Sequence, residues 1–225
     1  MADLQKRTLD ELINKEEPGW PVVQEWLSEA VNHVEVLPVD LNRRDEALLS
    51  VQVTTRSPMG AIVYETGGIL VDHGWIRILG SGHPRLSRSI GKWNLEATGV
   101  EAGHYPLLLV ADDVLGGFFA IDRGDALGKA GEVLYCPPDT SEWESTEGGY
   151  SDFIWFCFTG DLEGFYSGFR WDGWESEVQA LDGDQGFNVY PPLFAEGGPL
   201  GERSRAAVPI KALYTLYAEP DLERS

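Results

Sequence analysis

The stretch Leu107–Asp122, LLLVADDVLGGFFAID, constrains this chain more than any other. Two apolar runs flank Asp112-Asp113 and Gly116-Gly117, and the second is rich in aromatic and β-branched residues. That pattern predicts two strands joined by a tight hairpin. The first run is apolar at every position, so both of its faces must be covered, which places it near the middle of a sheet. A turn made of two glycines predicts positive φ at Gly116 and Gly117.

Around this hairpin the punctuation of the chain is readable. Thr8-Leu9-Asp10-Glu11 is a capping box, and Pro21 sits early in a second helix carrying Val23, Trp26, Leu27 and Ala30 at helical spacing. His33 follows that helix, where it is expected to meet its last carbonyls. A short strand at Val34–Leu37 and a third helix from about Asn42 come next. Ser57-Pro58 predicts one or two helical turns over Met59–Thr66, with Gly67-Gly68 as the left-handed stop. Strands Ile69–Asp72 and Trp75–Leu79 turn about His73-Gly74. Leu86–Trp93 reads as a surface helix carrying Arg88 and Lys92.

Glu132–Cys136 is a further strand, and Asp139–Gly149 a polar loop with Trp143 its one large apolar residue. Ser151-Asp152 favours a buried helix over Tyr150–Phe158, and helical spacing continues over Asp161–Phe169. Trp174–Leu181 reads as helix, Phe187–Tyr190 as extended, Gly197–Arg203 as a loop. Pro209 opens a last helix packing Ile210, Leu213, Tyr214 and Tyr217. The expected result is one α+β domain over residues 1–225, a mostly antiparallel sheet flanked by helices. Its parts would be N-terminal helices in 1–53, a sheet core at about 60–140 and a helical, aromatic-rich part in 150–225.

Charge narrows the function. The net charge is −20, which disfavours nucleic acid and anionic lipid. Between Glu132 and Glu202 stand fifteen acidic residues and one basic, Arg170, with fifteen of the 25 aromatics. Such a segment is either a solvated exterior around an aromatic core or a docking face for a basic partner. Two cysteines in apolar runs, Cys136 and Cys157, fit reduced buried thiols in a cytoplasmic protein. No apolar run suits a membrane span or a secretory signal.

Catalytic motifs fail one by one. Gly124–Lys129 has the wrong glycine spacing for a phosphate loop, Gly80-Ser81-Gly82 lacks a third glycine, and Gly149–Phe153 is not a nucleophile elbow. His33, His73, His83 and His104 show no metal spacing, so neither metal nor cofactor is expected. The best candidates for chemistry are Asp112 and Asp113, a carboxylate pair that could split its pKa values in a buried site. Neighbours on a strand point to opposite faces, however, and Asp is a routine turn residue. Asp72-His73 is weighed in the same way, as a hairpin turn or a polar site.

Thr54–Gly82, Asp113–Asp122, Tyr150–Tyr166 and the turn at Tyr190–Leu193 resemble a bacterial domain family of unknown function over nearly the whole chain. More distantly, the helix-Gly-Gly-strand unit around Gly67-Gly68, the central hairpin and Trp143–Phe153 resemble the SUKH superfamily. That resemblance implies an α+β sheet flanked by helices, and a function in binding and neutralising toxins. The extra N-terminal helices and the long aromatic C-terminal third depart from it. The resulting expectation is a non-enzymatic binding protein, immunity-like, that meets a basic partner such as a toxin domain. Asp72, His73, Asp112, Asp113, Asp122, Glu142, Trp143, Glu144 and Glu147 are its candidate contact residues. The alternative is a hydrolase or metal-dependent enzyme using Asp112, Asp113, Asp122 and His73.

Overall fold

The computed structural model describes residues 6–102, 106–124 and 129–218. His104 and the centre of the Gly124–Lys129 motif lie outside them. Helices α1 (Leu9–Leu12) and α2 (Trp20–Ser28), strand β1 (Val34–Pro38), and helices α3 (Arg44–Val51) and α4 (Pro58–Glu65) lead to the hairpin β2 (Thr66–Val71) and β3 (Ile76–Leu79). Helix α5 (Ile90–Thr98) is followed by β4 (Leu107–Asp113), β5 (Phe118–Asp122), β6 (Glu132–Cys136) and β7 (Glu144–Gly149). The last third holds α6 (Tyr150–Thr159), α7 (Leu162–Phe165), α8 (Trp174–Ala180), β8 (Gln185–Tyr190), β9 (Ser204–Pro209) and α9 (Ile210–Tyr217). The fold is α+β. Strands β1 to β7 form one antiparallel sheet in chain order, and β8 and β9 a separate ribbon.

Strand β4 is buried along its whole length, its apolar run Leu107–Ala111 and its two terminal aspartates alike. The register puts Arg77 of β3 opposite Asp112, and Phe118 of β5 opposite both Asp112 and Cys136. Directly opposed residues share a face. On that face Phe118 meets Trp93 of α5 and Tyr214 of α9, with centroids 6.5 and 5.2 Å apart. On the other face Phe119 stacks on Tyr135 at 4.4 Å and meets Phe153 of α6 at 4.7 Å. The sheet is thus covered on both sides, by α5 and α9 on one and by α6 on the other.

Local signals act as expected at several ends. The Thr8–Glu11 capping box forms, the Ser57 hydroxyl accepts from Gly60 N, and Asp152 accepts from Gly149 N at 2.9 Å to start α6. Both cysteines are free and buried.

Other expectations need correction. Gly67 and Gly68 do not stop α4; they open β2, where an added Cβ on Gly67 would lie 2.8 Å from Pro38 O and 2.7 Å from His83 Cβ. The helix expected at Leu86–Trp93 begins only at Ile90, and Arg88 is buried rather than on the surface. Half of the supposed polar loop at 139–149 is β7, held by pairing with β6. Strand β9 was not anticipated, and the helix expected over Asp161–Phe169 shortens to one turn, α7. Only Gly116 has positive φ, +87°; Gly117 is needed because its Cβ would overlap the Asp113 carboxylate and lie 2.5 Å from Tyr135 Oη. Instead of capping α2, His33 stacks on His73, centroids 4.3 Å apart.

Candidate functional site

The two aspartates that end β4 point to opposite faces and do different work. Asp112 is fully buried between two guanidinium groups: Oδ1 lies 2.6 Å from Arg77 Nη2, and Oδ2 2.6 Å from Arg88 Nη1. Arg88 extends the chain of charges to Asp184, 3.0 Å away, and donates to Gly183 O. Burial pulls the Arg77 guanidinium below its usual range. Burial acts on Arg88 too, but Asp112 and Asp184 outweigh it and hold that group above its usual range. Two anions flank Arg88, and that accounts for the opposite directions.

Asp113 faces α6 and α7. Its Oδ1 accepts from Leu115 N and Gly117 N, both at 2.9 Å, which closes the hairpin. Its Oδ2 accepts from Tyr135 Oη at 2.8 Å and Tyr166 Oη at 3.3 Å. Burial raises the Asp113 carboxyl above its ordinary range, and these hydrogen bonds oppose that only in part. Burial, then the neighbouring Asp113, pushes both tyrosines well up. The Cys136 thiol, buried on the other face, is pushed up to about 12. Asp112 and Asp113 therefore do not converge, and each is taken up by structural partners.

The remaining candidates separate. Asp122 is buried at the far end of β5, where it accepts from Gly124 N. Asp72 and His73 form the β2–β3 turn, both with positive φ. Asp72 pairs with Arg170, whose guanidinium lies 4.5 Å from the Trp174 ring, 5.2 Å from Trp75 and 5.7 Å from Tyr166. His73 Nδ1 lies 3.1 Å from Gln179 Nε2. Trp143 is half-buried and packed on the core. Glu142, Glu144 and Glu147 are exposed, the latter two on β7.

What β7 borders is the feature that sequence reasoning missed. A cavity of about 410 Å³ is lined by Phe119, Tyr135, Phe153, Phe156 and Phe165, with the carboxylates of Glu144 and Asp152 beside them. Register creates it: Glu144 stands opposite Tyr135, and α6 and α7 supply the other three rings. Asp113 lies behind, holding Tyr135 by its hydroxyl. The edge itself is poorly suited to pairing with another strand, because Glu147 breaks it with φ +61° and the strand carries exposed charges. The lone cation of the acidic segment, Arg170, is meanwhile withdrawn into its aromatic cage. Among the described residues, no three His, Cys, Asp or Glu side chains are grouped to hold a metal, and no helix is long and apolar enough to cross a membrane.

Fold and site together define an α+β protein on a seven-stranded antiparallel sheet, with paired buried charge on one face of its central strand and an acid-rimmed aromatic cavity at one edge. The chain belongs to the family described as protein of unknown function DUF2625, whose model matches residues 9–213. It is similar to the uncharacterised protein YbfG of Escherichia coli (strain K12), 42% identical over 212 residues that cover 93% of this chain and 95% of that protein. It is also similar to an uncharacterised protein of Haemophilus influenzae (strain ATCC 51907 / DSM 11121 / KW20 / Rd), 38% identical over 210 residues and 92% of each chain.

Proposed function

We propose that this chain is a non-enzymatic binding module that engages a basic protein at the β7 edge, with a Lys or Arg side chain of the partner entering the aromatic cavity. The observation that carries the reading is the placing of Glu144 and Asp152 beside five aromatic rings. Ring faces attract a cation, and the two carboxylates add charge where the cavity opens. Phe165, which lines the cavity, is 41% exposed, so apolar contact area is ready beside the charge. The engagement of Asp112 in two buried ion pairs and of Asp113 in four hydrogen bonds supports binding over acid–base catalysis. A toxin domain is the partner class that the SUKH likeness suggests, and two buried free thiols suit a cytoplasmic setting.

The test is an NMR titration with N-acetyl-lysine methylamide against its neutral counterpart, N-acetyl-norleucine methylamide. The lysine probe should shift the ring resonances of Tyr135, Phe153 and Phe165, and the response should weaken in Glu144→Gln and in salt above about 0.15 M, where the Debye length is near 8 Å. Equal responses to both probes, or no response to either, would overturn the reading.

A further inference from the structure

A second cavity, of about 560 Å³, is formed by α3, α5 and the segments that flank them, away from the β7 edge. The volume is in the range that encloses small organic ligands. Its charge sets it apart. In a chain with 17 basic and 37 acidic residues, four cations line this one cavity, Lys6, Arg7, Arg43 and Lys92, against two carboxylates, Glu46 and Glu101. Lys6 pairs with Glu101 at 2.8 Å, and Lys92 with Glu96, which stands outside the lining, at 3.7 Å. With all three carboxylates counted, the balance remains positive. Both pairs are exposed, and exposed pairs hold weakly. Beyond about 8 Å physiological salt screens exposed charges, so this local excess outweighs the acidic total of the chain.

The donors of the cavity are open to solvent and partly fixed in place. Arg43 Nη2 donates to Ser87 O at 2.6 Å, which holds the guanidinium beside Gly82. Its Nε and Nη1 have no partner among the described residues and remain accessible on this half-buried side chain. Ser89 Oγ accepts from Lys92 N at 3.4 Å, which leaves its hydroxyl hydrogen unused. Lys92, on the first turn of α5, brings an exposed ammonium. The walls are set by close contact of the two helices: an added Cβ on Gly91 of α5 would lie 2.1 Å from Ser50 Oγ of α3. One guanidinium fork satisfies a planar carboxylate, whereas a guanidinium, a hydroxyl and an ammonium on different segments suit a tetrahedral oxyanion with three free oxygens. Leu49 and Leu95, 37% and 48% exposed, provide an apolar wall for the body of the ligand.

We propose that this cavity binds a small organic phosphate monoester, with the phosphate accepting from Arg43, Ser89 and Lys92 and the apolar body lying against Leu49 and Leu95. Arg7 and Lys6 add to the field that attracts it, and Glu46 opposes it. The site does not depend on the β7 edge or on any protein partner.

Phenyl phosphate is a suitable probe, with benzoate as the planar anion and benzyl alcohol as the neutral counterpart. Titration is followed on the backbone amide resonances of Ser89, Gly91 and Lys92 in the full chain. Phenyl phosphate should give saturable shifts there, at least about tenfold tighter than benzoate or benzyl alcohol. Arg43→Gln removes two of the accessible donors and should weaken phenyl phosphate by about tenfold or more. Because Arg43 also anchors Ser87, two exposed positions keep the test independent of folding. Lys92→Gln should weaken the binding by several-fold, and Glu46→Gln, which removes an opposing charge, should strengthen it. The proposal fails if phenyl phosphate leaves all three resonances unmoved, if benzoate or benzyl alcohol binds equally well, or if folded Lys92→Gln and Glu46→Gln both bind phenyl phosphate unchanged.

Discussion

Removing the charge of Asp112 tests the buried network directly. In Asp112→Asn the shape is kept, but the Arg77 and Arg88 guanidinium groups lose the carboxylate that lies 2.6 Å from each. Neither arginine can escape to water, since their side chains are 2% and 5% exposed. Breaking a buried pair in this way costs about 3–5 kcal/mol, most of it the penalty of an uncompensated buried charge. With an unfolding entropy of about 2.1 cal/mol/K per residue, 225 residues give roughly 0.47 kcal/mol/K, so a loss of 4 kcal/mol lowers Tm by about 8 °C. Thermal and urea unfolding followed by circular dichroism read the change. Adding Arg88→Met to Asp112→Asn should cost less than the sum of the single variants, because the second substitution removes one of the two stranded charges. A loss below about 1 kcal/mol for Asp112→Asn, or strict additivity, would refute the assignment of Asp112 as the shared counter-ion.

Two further outcomes follow from the opposite face of β4. Gly117→Ala should destabilise by about 1–3 kcal/mol in thermal melts, because its Cβ overlaps the Asp113 carboxylate and crowds Tyr135; a change within about 0.5 kcal/mol would refute that close approach. Asp113→Asn should alter the pH dependence of stability. The folded-state pKa of Asp113 is raised above the ordinary aspartate range, chiefly by burial, so its contribution is fully present below the unfolded value and is lost as pH rises through the folded one. Asparagine can still accept from Leu115 and Gly117 without that titration. The stability of the wild type relative to the variant should therefore fall in urea melts as pH rises above the ordinary aspartate range, and a rise instead would refute the direction.

Much of the fold was legible in local chemistry. The all-apolar LLLVA run could only be a central strand, the Thr8–Glu11 and Ser57-Pro58 signals start helices wherever they occur, and Tyr150–Phe158 is a helix that Asp152 begins. These are properties of residues near one another in the chain. The strand alternation at Asp112-Asp113 also told correctly that the two carboxylates would part. Their partners were another matter. Arg88, before α5, read as a surface charge, and nothing local says what lies across the sheet from Arg77 within IRIL; only the register of β3 on β4 sets a buried cation opposite a buried anion. Ser204–Pro209 has little strand character of its own and becomes one by pairing with β8. The aromatic cavity is likewise assembled from β5, β6, β7, α6 and α7, up to 46 residues apart in sequence between Phe119 and Phe165. Backbone propensity is a sum over neighbours and is written in the chain; burial, charge pairing and concavity depend on which distant residues the tertiary packing brings together, and that only the folded structure decides.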